Sequence, residues 1–213
     1  MTQTLAIVVG YLLGSIPFGY LAGRMNGVDL RTVGSGNVGA ANVFRNLGRG
    51  WGIAVAVLDI AKGAAAALIA TALTDQPWPI LAGGAAVVGA IFPVWLRFRG
   101  GKGVAVGAGV ILGLMPLVSL ALVPLWFVIV LTTRYTSLAS IACAVAFTPL
   151  AWAFGMDWQY IVLAGAMSAL VLYRHRGNMV RLVQGREARI ELRGRRARAS
   201  RGPAGAPPPR PPA

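Results

Sequence analysis

The sequence predicts an all-α, polytopic membrane helix bundle, and three observations carry that prediction. Apolar residues make up 56% of the 213-residue chain and charged residues only 12%, with a mean hydropathy of +0.67. A soluble domain carries about 45–50% apolar and about 25% charged residues. The apolar residues gather into runs, and crossing a bilayer takes about 20 residues of helix. Basic residues occupy some connections between the runs and are absent from others.

The first run covers 4–22. No Lys or Arg occurs in residues 1–23, so it lacks the charged start of a signal peptide and reads as a retained first helix. Further runs cover 52–73, 78–96, 104–132, 137–154 and 158–173. Arg24, Arg31, Arg45 and Arg49 follow the first run; Arg97, Arg99 and Lys102 follow the third. Arg134 follows the fourth, and Arg174, Arg176 and Arg181 follow the last. Connections 74–77 and 155–157 contain no Lys or Arg. The positive-inside rule therefore places the basic loops in the cytoplasm, the N-terminus outside and the C-terminus cytoplasmic.

Residues 104–132 have basic loops on both sides, so the chain must leave the cytoplasmic face and return. Two full crossings need roughly 40 residues, and the segment has 29. Two short or tilted helices turning near Pro116, or a re-entrant segment, satisfy both demands. Counting a pair gives seven transmembrane helices.

Gly10/Gly14, Gly103/Gly107 and Gly109/Gly113 are small residues four apart, a spacing that lets helices pack closely in lipid. Asp59 and Lys62 lie three apart within a span. Such a pair is either a structural ion pair or a supporting functional site. Residues 1–185 form the membrane domain. Residues 186–213, Arg-rich and then Pro-rich, read as a disordered cytoplasmic tail, with passive solubilisation preferred over lipid-headgroup binding.

Several functions are disfavoured. The net charge is +14, but a nucleic-acid binder would need its basic residues on a water-soluble scaffold. One cysteine, Cys143 in an apolar run, excludes a disulfide framework or Cys-based zinc site. One histidine and six acids argue against a metal cluster. No G-x-S-x-G elbow occurs.

Polar residues of the membrane domain collect in three basic stretches. Gly34-Ser35-Gly36-Asn37-Val38-Gly39 matches G-x-G-x-x-G, but no βαβ unit surrounds it, so the dinucleotide reading fails. Glycines that turn N–H groups toward an anion, a following helix N-terminus, Ser35, Asn37 and Arg45 nevertheless suit a phosphate; a plain glycine turn is the competing reading. The second stretch, Arg97 to Gly103, shares only Gly101-Lys102 with a Walker loop: Leu96 replaces a glycine and Gly103 the Ser or Thr. The third runs from Tyr173 to Leu182, with His175, Asn178 and Arg181 at every third residue. Three anion-suited stretches on one side of a bundle suggest a ligand with more than one phosphate group.

These stretches, with Gly14-Ser15-Ile16-Pro17-Phe18-Gly19-Tyr20 and Phe98-Arg99-Gly100-Gly101-Lys102-Gly103-Val104-Ala105, resemble the bacterial acyl-phosphate:glycerol-3-phosphate acyltransferases over residues 5–187. The resemblance implies a seven-helix plasma (inner) membrane enzyme with its active site on the cytoplasmic side. It implies transfer of a fatty acyl group from acyl phosphate to the 1-hydroxyl of glycerol 3-phosphate, the first acylation of phospholipid synthesis. By motif position, Ser35, Gly36, Asn37 and Lys102 would hold the donor phosphate, with Arg45, His175 and Asn178 on glycerol 3-phosphate. Ser140 matches a further polar position; Asp59, Lys62 and Arg181 are possible supports. Ala41 and Ala90 depart from the Thr and His of the pattern.

Acyl phosphate is an activated mixed anhydride, so no cofactor, metal or covalent nucleophile is expected. Lys102 and backbone N–H groups would stabilise charge on the leaving phosphate. Either a donor phosphate oxygen or His175 would accept the hydroxyl proton. The expected partners are the two substrates and the bilayer, with neither nucleic acid nor an obligatory protein partner. An anion transporter is the alternative, though the repeat symmetry common in transporters is not evident; a non-catalytic scaffold would not need three anion-suited loops.

Overall fold

The computed structural model describes residues 1–191, and the described residues that form regular structure are all helical. Residues 192–213, which hold most of the predicted tail, lie outside the described residues. The elements are α1 (Thr2–Ser15), α2 (Phe18–Met25), α3 (Ala40–Leu47), α4 (Arg49–Leu73), α5 (Trp78–Ile91) and a 3-10 turn (Val94–Leu96). They continue with α6 (Val104–Leu114), α7 (Pro116–Thr133), α8 (Thr136–Ala153), α9 (Trp158–Arg174) and α10 (Arg176–Val183). Five stretches are long and apolar enough to cross a membrane: Thr2–Met25, Arg49–Leu73, Trp78–Leu96, Pro116–Thr133 and Thr136–Ala153. Helix α6 is apolar but shorter, and α9 has 17 residues. The chain is a multi-pass membrane protein.

Proline writes the two breaks that interrupt apolar runs. The first run is one helix in the sequence reading, yet α1 stops at Ser15 and α2 starts at Phe18. Pro17 cannot donate a hydrogen bond and forces the residue before it out of the helical region; Ile16 accordingly has ψ 116°. The same effect at Met115 (φ −136°, ψ 63°) before Pro116 separates α6 from α7.

That second break divides 104–132 into helices of 11 and 18 residues. Lys102, just before α6, bonds Asn178, and Asn178 bonds Glu187. Three residues further on, the Ile190 N–H donates to the Arg134 carbonyl (2.9 Å), and Arg189 lies over the Tyr135 ring at the start of α8. The beginning of α6 and the end of α7 therefore lie at one end of the molecule. Together the two helices leave that end and come back.

Glycines set the helix spacing where the backbones touch. A Cβ on Gly14 would run into the backbone of Ala86 across the α1–α5 contact, and one on Gly109 into the Ile60 carbonyl across α4–α6. Lipid supplies no hydrophobic drive between helices, so such close contact stabilises the bundle through dispersion. The central core, with Val87, Ile91, Val110, Met115 and Val118 fully buried, joins α5, α6 and α7 and packs against α8 and α9.

Candidate active site

The first glycine-rich loop is held from below by Asn42, a fully buried side chain on α3. Its Oδ1 accepts the Ser35 N–H and the Asn46 amide, both at 3.0 Å. Its Nδ2 donates to the carbonyls of Leu30 (3.2 Å) and Val33 (3.1 Å). Gly34 and Gly36 adopt left-handed φ of 59° and 67°, which glycine reaches without steric cost. The Gly36 N–H donates to Val33 and the Gly39 N–H to Asn37 Oδ1, each at 3.1 Å. This corrects the sequence expectation: the N–H groups of Ser35, Gly36 and Gly39 close the loop on itself instead of facing an anion. Arg31 is also engaged, forking onto Asp29 at 2.7 Å and pushing its carboxyl down to about 2. Ser35 remains exposed, and Arg45, one turn beyond Asn42, is half-buried.

The second loop folds back onto the end of α5. Gly100 donates to Ile91 and Gly101 to Ala90, both at 3.0 Å. The Arg174 guanidinium donates to the Gly101 carbonyl (3.1 Å). Lys102 is thereby delivered beside the start of α6, whose N-cap Gly103 sits at φ 76° without a side-chain cap. The first N–H groups of a helix have no intrahelical partner, so α6 presents an anion-seeking terminus, as does α3 after the first loop, whose N-cap Gly39 also lacks a side-chain cap. Asn37 approaches this loop: a Cβ on Gly101 would lie 3.6 Å from its Oδ1.

The third stretch completes the cluster. Lys102 Nζ donates to Asn178 Oδ1. Asn178 Nδ2 donates to Glu187 (2.6 Å), and Arg181 Nε pairs with the same carboxylate (2.7 Å). The Ser137 hydroxyl is buried beside that carboxylate. Burial alone would raise the Glu187 pKa, but Ser137, Asn178 and Arg181 hold it below the usual carboxylate value. Burial pushes Lys102 down to about 8; Glu187 opposes this, while Arg181, Arg45 and Arg174 add to it. His175 is buried, with Nδ1 2.8 Å from the Val171 carbonyl. Burial, reinforced by Lys102, pushes it down to about 4.

Arg45, Lys102, His175, Asn178 and Arg181, predicted from three separate stretches, thus share one electrostatic neighbourhood. Ser140 lies elsewhere, bonded to Thr136 (2.8 Å) and receiving Trp126 Nε1 (3.4 Å); Ser137, one turn earlier, faces Glu187 instead. Asp59 and Lys62 pair with each other at 2.8 Å beside the α1–α2 break. Sequence reasoning missed Asn42, Arg174, Ser137 and Glu187 as site residues. A buried amide inside a glycine loop, and an acid among arginines, were the available signals. An apolar groove of about 330 Å³ lies between the break and the 3-10 turn, lined by Ile16, Pro17, Tyr20, Leu21, Trp95 and Leu96.

A profile of the family described as glycerol-3-phosphate acyltransferase matches residues 4–185. The chain belongs to that family. Glycerol-3-phosphate acyltransferase of Synechococcus sp. strain CC9902 is 44% identical over 197 residues, 92% of this chain and 98% of that protein. The namesake from Rubrobacter xylanophilus is 46% identical over 192 residues, 89% and 96% of the two chains. The crystal structure of PlsY, an integral membrane glycerol 3-phosphate acyltransferase, in its glycerol 3-phosphate form superposes with a TM-score of 0.86. Its identity is 41%, covering 90% of this chain and 96% of that one. Within this acyltransferase family member, Glu187 falls two residues beyond the profile match.

Proposed function

We propose that the protein transfers a fatty acyl group from acyl phosphate to the 1-hydroxyl of glycerol 3-phosphate, releasing 1-acylglycerol 3-phosphate and phosphate. The observation that carries the reading is the convergence of Arg45, Lys102, His175, Asn178 and Arg181 around Glu187, in a chain so similar to PlsY. The PlsY structures are a glycerol 3-phosphate form and a lysophosphatidic acid form, the acceptor and product of such a transfer.

The Ser35 and Asn37 side chains, presented by the turn at Gly36, hold the donor phosphate with Lys102 and the α6 N-terminus; Arg45, His175 and Asn178 hold glycerol 3-phosphate, with Arg181 in support. The acceptor hydroxyl attacks the acyl carbon, the carbon–oxygen bond to phosphate breaks, and Lys102 stabilises the charge on the leaving phosphate. Holding both substrates between three loops supplies the proximity advantage. A donor phosphate oxygen takes the hydroxyl proton. His175 is a weak base at a pKa of about 4; with Nδ1–H held by Val171, its Nε2 can accept a hydrogen bond from the acceptor and orient it. The acyl chain lies in the apolar groove, whose walls in α2 and 94–96 lead into the first and second loops.

The leave-and-return path of α6 and α7, with the loop charges, supports seven crossings, an outside N-terminus and a cytoplasmic site in the bacterial plasma membrane. Phosphate release by purified protein, given palmitoyl phosphate, glycerol 3-phosphate and excess chelator, tests the reaction. Release that needs both substrates and disappears in Lys102→Ala is the expected result. No release from folded protein overturns the reading and brings anion transport forward.

A further inference from the structure

The ionisable pair inside α4 has a partner that ties it to the first loop. Lys62 is buried at 8% exposure; its Nζ lies 2.8 Å from Asp59 Oδ1 and donates to the Ile16 carbonyl at 2.6 Å. The ammonium also lies 5.4 Å from the Phe18 ring centroid. Ile16 is the residue that Pro17 expels from the helix, so Lys62 serves a carbonyl at the break itself. Backbone groups freed by a helix break within a membrane must find partners inside the protein. A charge pair is a costly partner there, which calls for more from it than one hydrogen bond.

Helix α2, turned by that break, is the surface on which the first loop is shaped. The Gly19 backbone abuts the Val38 carbonyl so closely that a Cβ would run into it. A Cβ on Gly23 would meet the Leu30 side chain at 3.0 Å, and the Val28 N–H donates to the Gly23 carbonyl at 2.9 Å. The Tyr20 ring lies 5.1 Å below the Arg31 guanidinium. The loop therefore touches α2 at its start, middle and end, while Asn42 holds it from the other side.

We propose that Asp59 and Lys62 are positioning residues for acyl-phosphate binding: they fix the angle at which α2 leaves the first helix, and α2 fixes residues 28–39. The inference rests on reading Ser35–Asn37 as the donor site. The test measures steady-state kinetics and the thermal midpoint of purified full-length Lys62→Met, Asp59→Asn/Lys62→Met, Pro17→Ala and Ser35→Ala. Lys62→Met leaves a carboxylate buried alone and lowers the midpoint. The double variant removes both charges and regains the midpoint, but leaves the Ile16 carbonyl with only the local Phe18 N–H (3.2 Å) and no tie to α4. A displacement on the order of 1 Å can cost about a hundredfold in rate. The double variant is therefore expected to raise KM for palmitoyl phosphate at least about tenfold, with KM for glycerol 3-phosphate within about twofold.

Pro17→Ala removes the break without touching the pair, and is expected to raise the same KM. It decides the matter should the double variant fail to fold. A stable double variant with wild-type KM for palmitoyl phosphate, equal rises in both KM values, or an unaffected Pro17→Ala variant overturns the proposal. Ser35→Ala separates the two levels. If it leaves KM for palmitoyl phosphate unchanged, the donor-loop reading fails; if it raises that KM while the other variants do not, only the positioning role fails.

Discussion

The two glycine-rich loops look alike in sequence and differ in what holds them and in what they project. In the first, glycines at positive φ let N–H groups turn inward, where Asn42, Asn37 and Val33 accept them. In the second, Gly100 lies so close to Pro93 and the Ala90 carbonyl that a Cβ would collide with them, and the loop folds back on α5 to project Lys102. Both loops use their own N–H donors to become rigid and both lead into an uncapped helix; only the second projects a lysine, Lys102, into the cluster. Glycine content marks both as tight, without saying which way the donors face.

The largest effect that would sharpen this contrast belongs to the second loop. Lys102→Ala should lower kcat/KM for acyl phosphate by about 10³-fold in folded protein, the scale of losing a main electrostatic contact with the leaving group. A loss below about tenfold would mean that the α6 N-terminus, Ser35 and Asn37 carry the donor phosphate without it.

Asn42→Ala probes the first loop. It strips partners from the Ser35 N–H and from the Leu30 and Val33 carbonyls, and unsatisfied buried groups cost about 1–3 kcal/mol each. The expected result is a rise of about thirtyfold in KM for acyl phosphate together with a lower thermal midpoint, since each 1.4 kcal/mol is about tenfold. Asn42→Asp, which keeps the acceptor for Ser35 but loses the amide donors, should fall between wild type and Ala.

Next comes pH. Lys102 keeps its proton below about 8 and loses it above, so the donor-phosphate contact weakens as pH rises through that value. The pH profile of kcat/KM should show an alkaline limb near 8, with about a tenfold loss by pH 9. In Glu187→Gln that limb should move to lower pH, because the carboxylate opposes the effect of burial on Lys102. His175, neutral down to about 4, should add no limb between pH 5 and 7.

Ser140→Ala is the smallest. Its hydroxyl bonds within α8 and to Trp126 and touches none of the cluster, so kcat/KM should stay within about twofold, the usual range for a residue whose loss costs about 0.5 kcal/mol or less. A larger loss would extend the site one helical turn beyond Ser137.

Much of this architecture was legible in the sequence because membranes make composition informative. The charge-free connections at 74–77 and 155–157 set the alternation, and basic loops on both sides of 104–132 forced an out-and-back path before Pro116 was seen to break it. The other break, at Pro17, was equally visible as a proline but lay inside a run of ordinary spanning length, which concealed it. Lys102 and Arg45 declare themselves by type beside the glycine-rich loops, and the structure brings them into one electrostatic neighbourhood. Glu187 does not declare itself: it sits among arginines that make its stretch read as tail, and its role depends on Asn178 and Arg181 meeting it in space.

The sequence by itself determined that this chain lives in a bilayer, which connections share a side, and which residues suit phosphate, since those properties follow from transfer free energy and side-chain chemistry. Only the tertiary structure decided where each donor points, that Lys62 serves the Ile16 carbonyl, and that Ser137 rather than Ser140 faces the charge cluster. Hydrogen-bond partners and helix phase depend on which backbones come within a few ångströms of each other, and in lipid that depends on close packing between segments far apart in the chain.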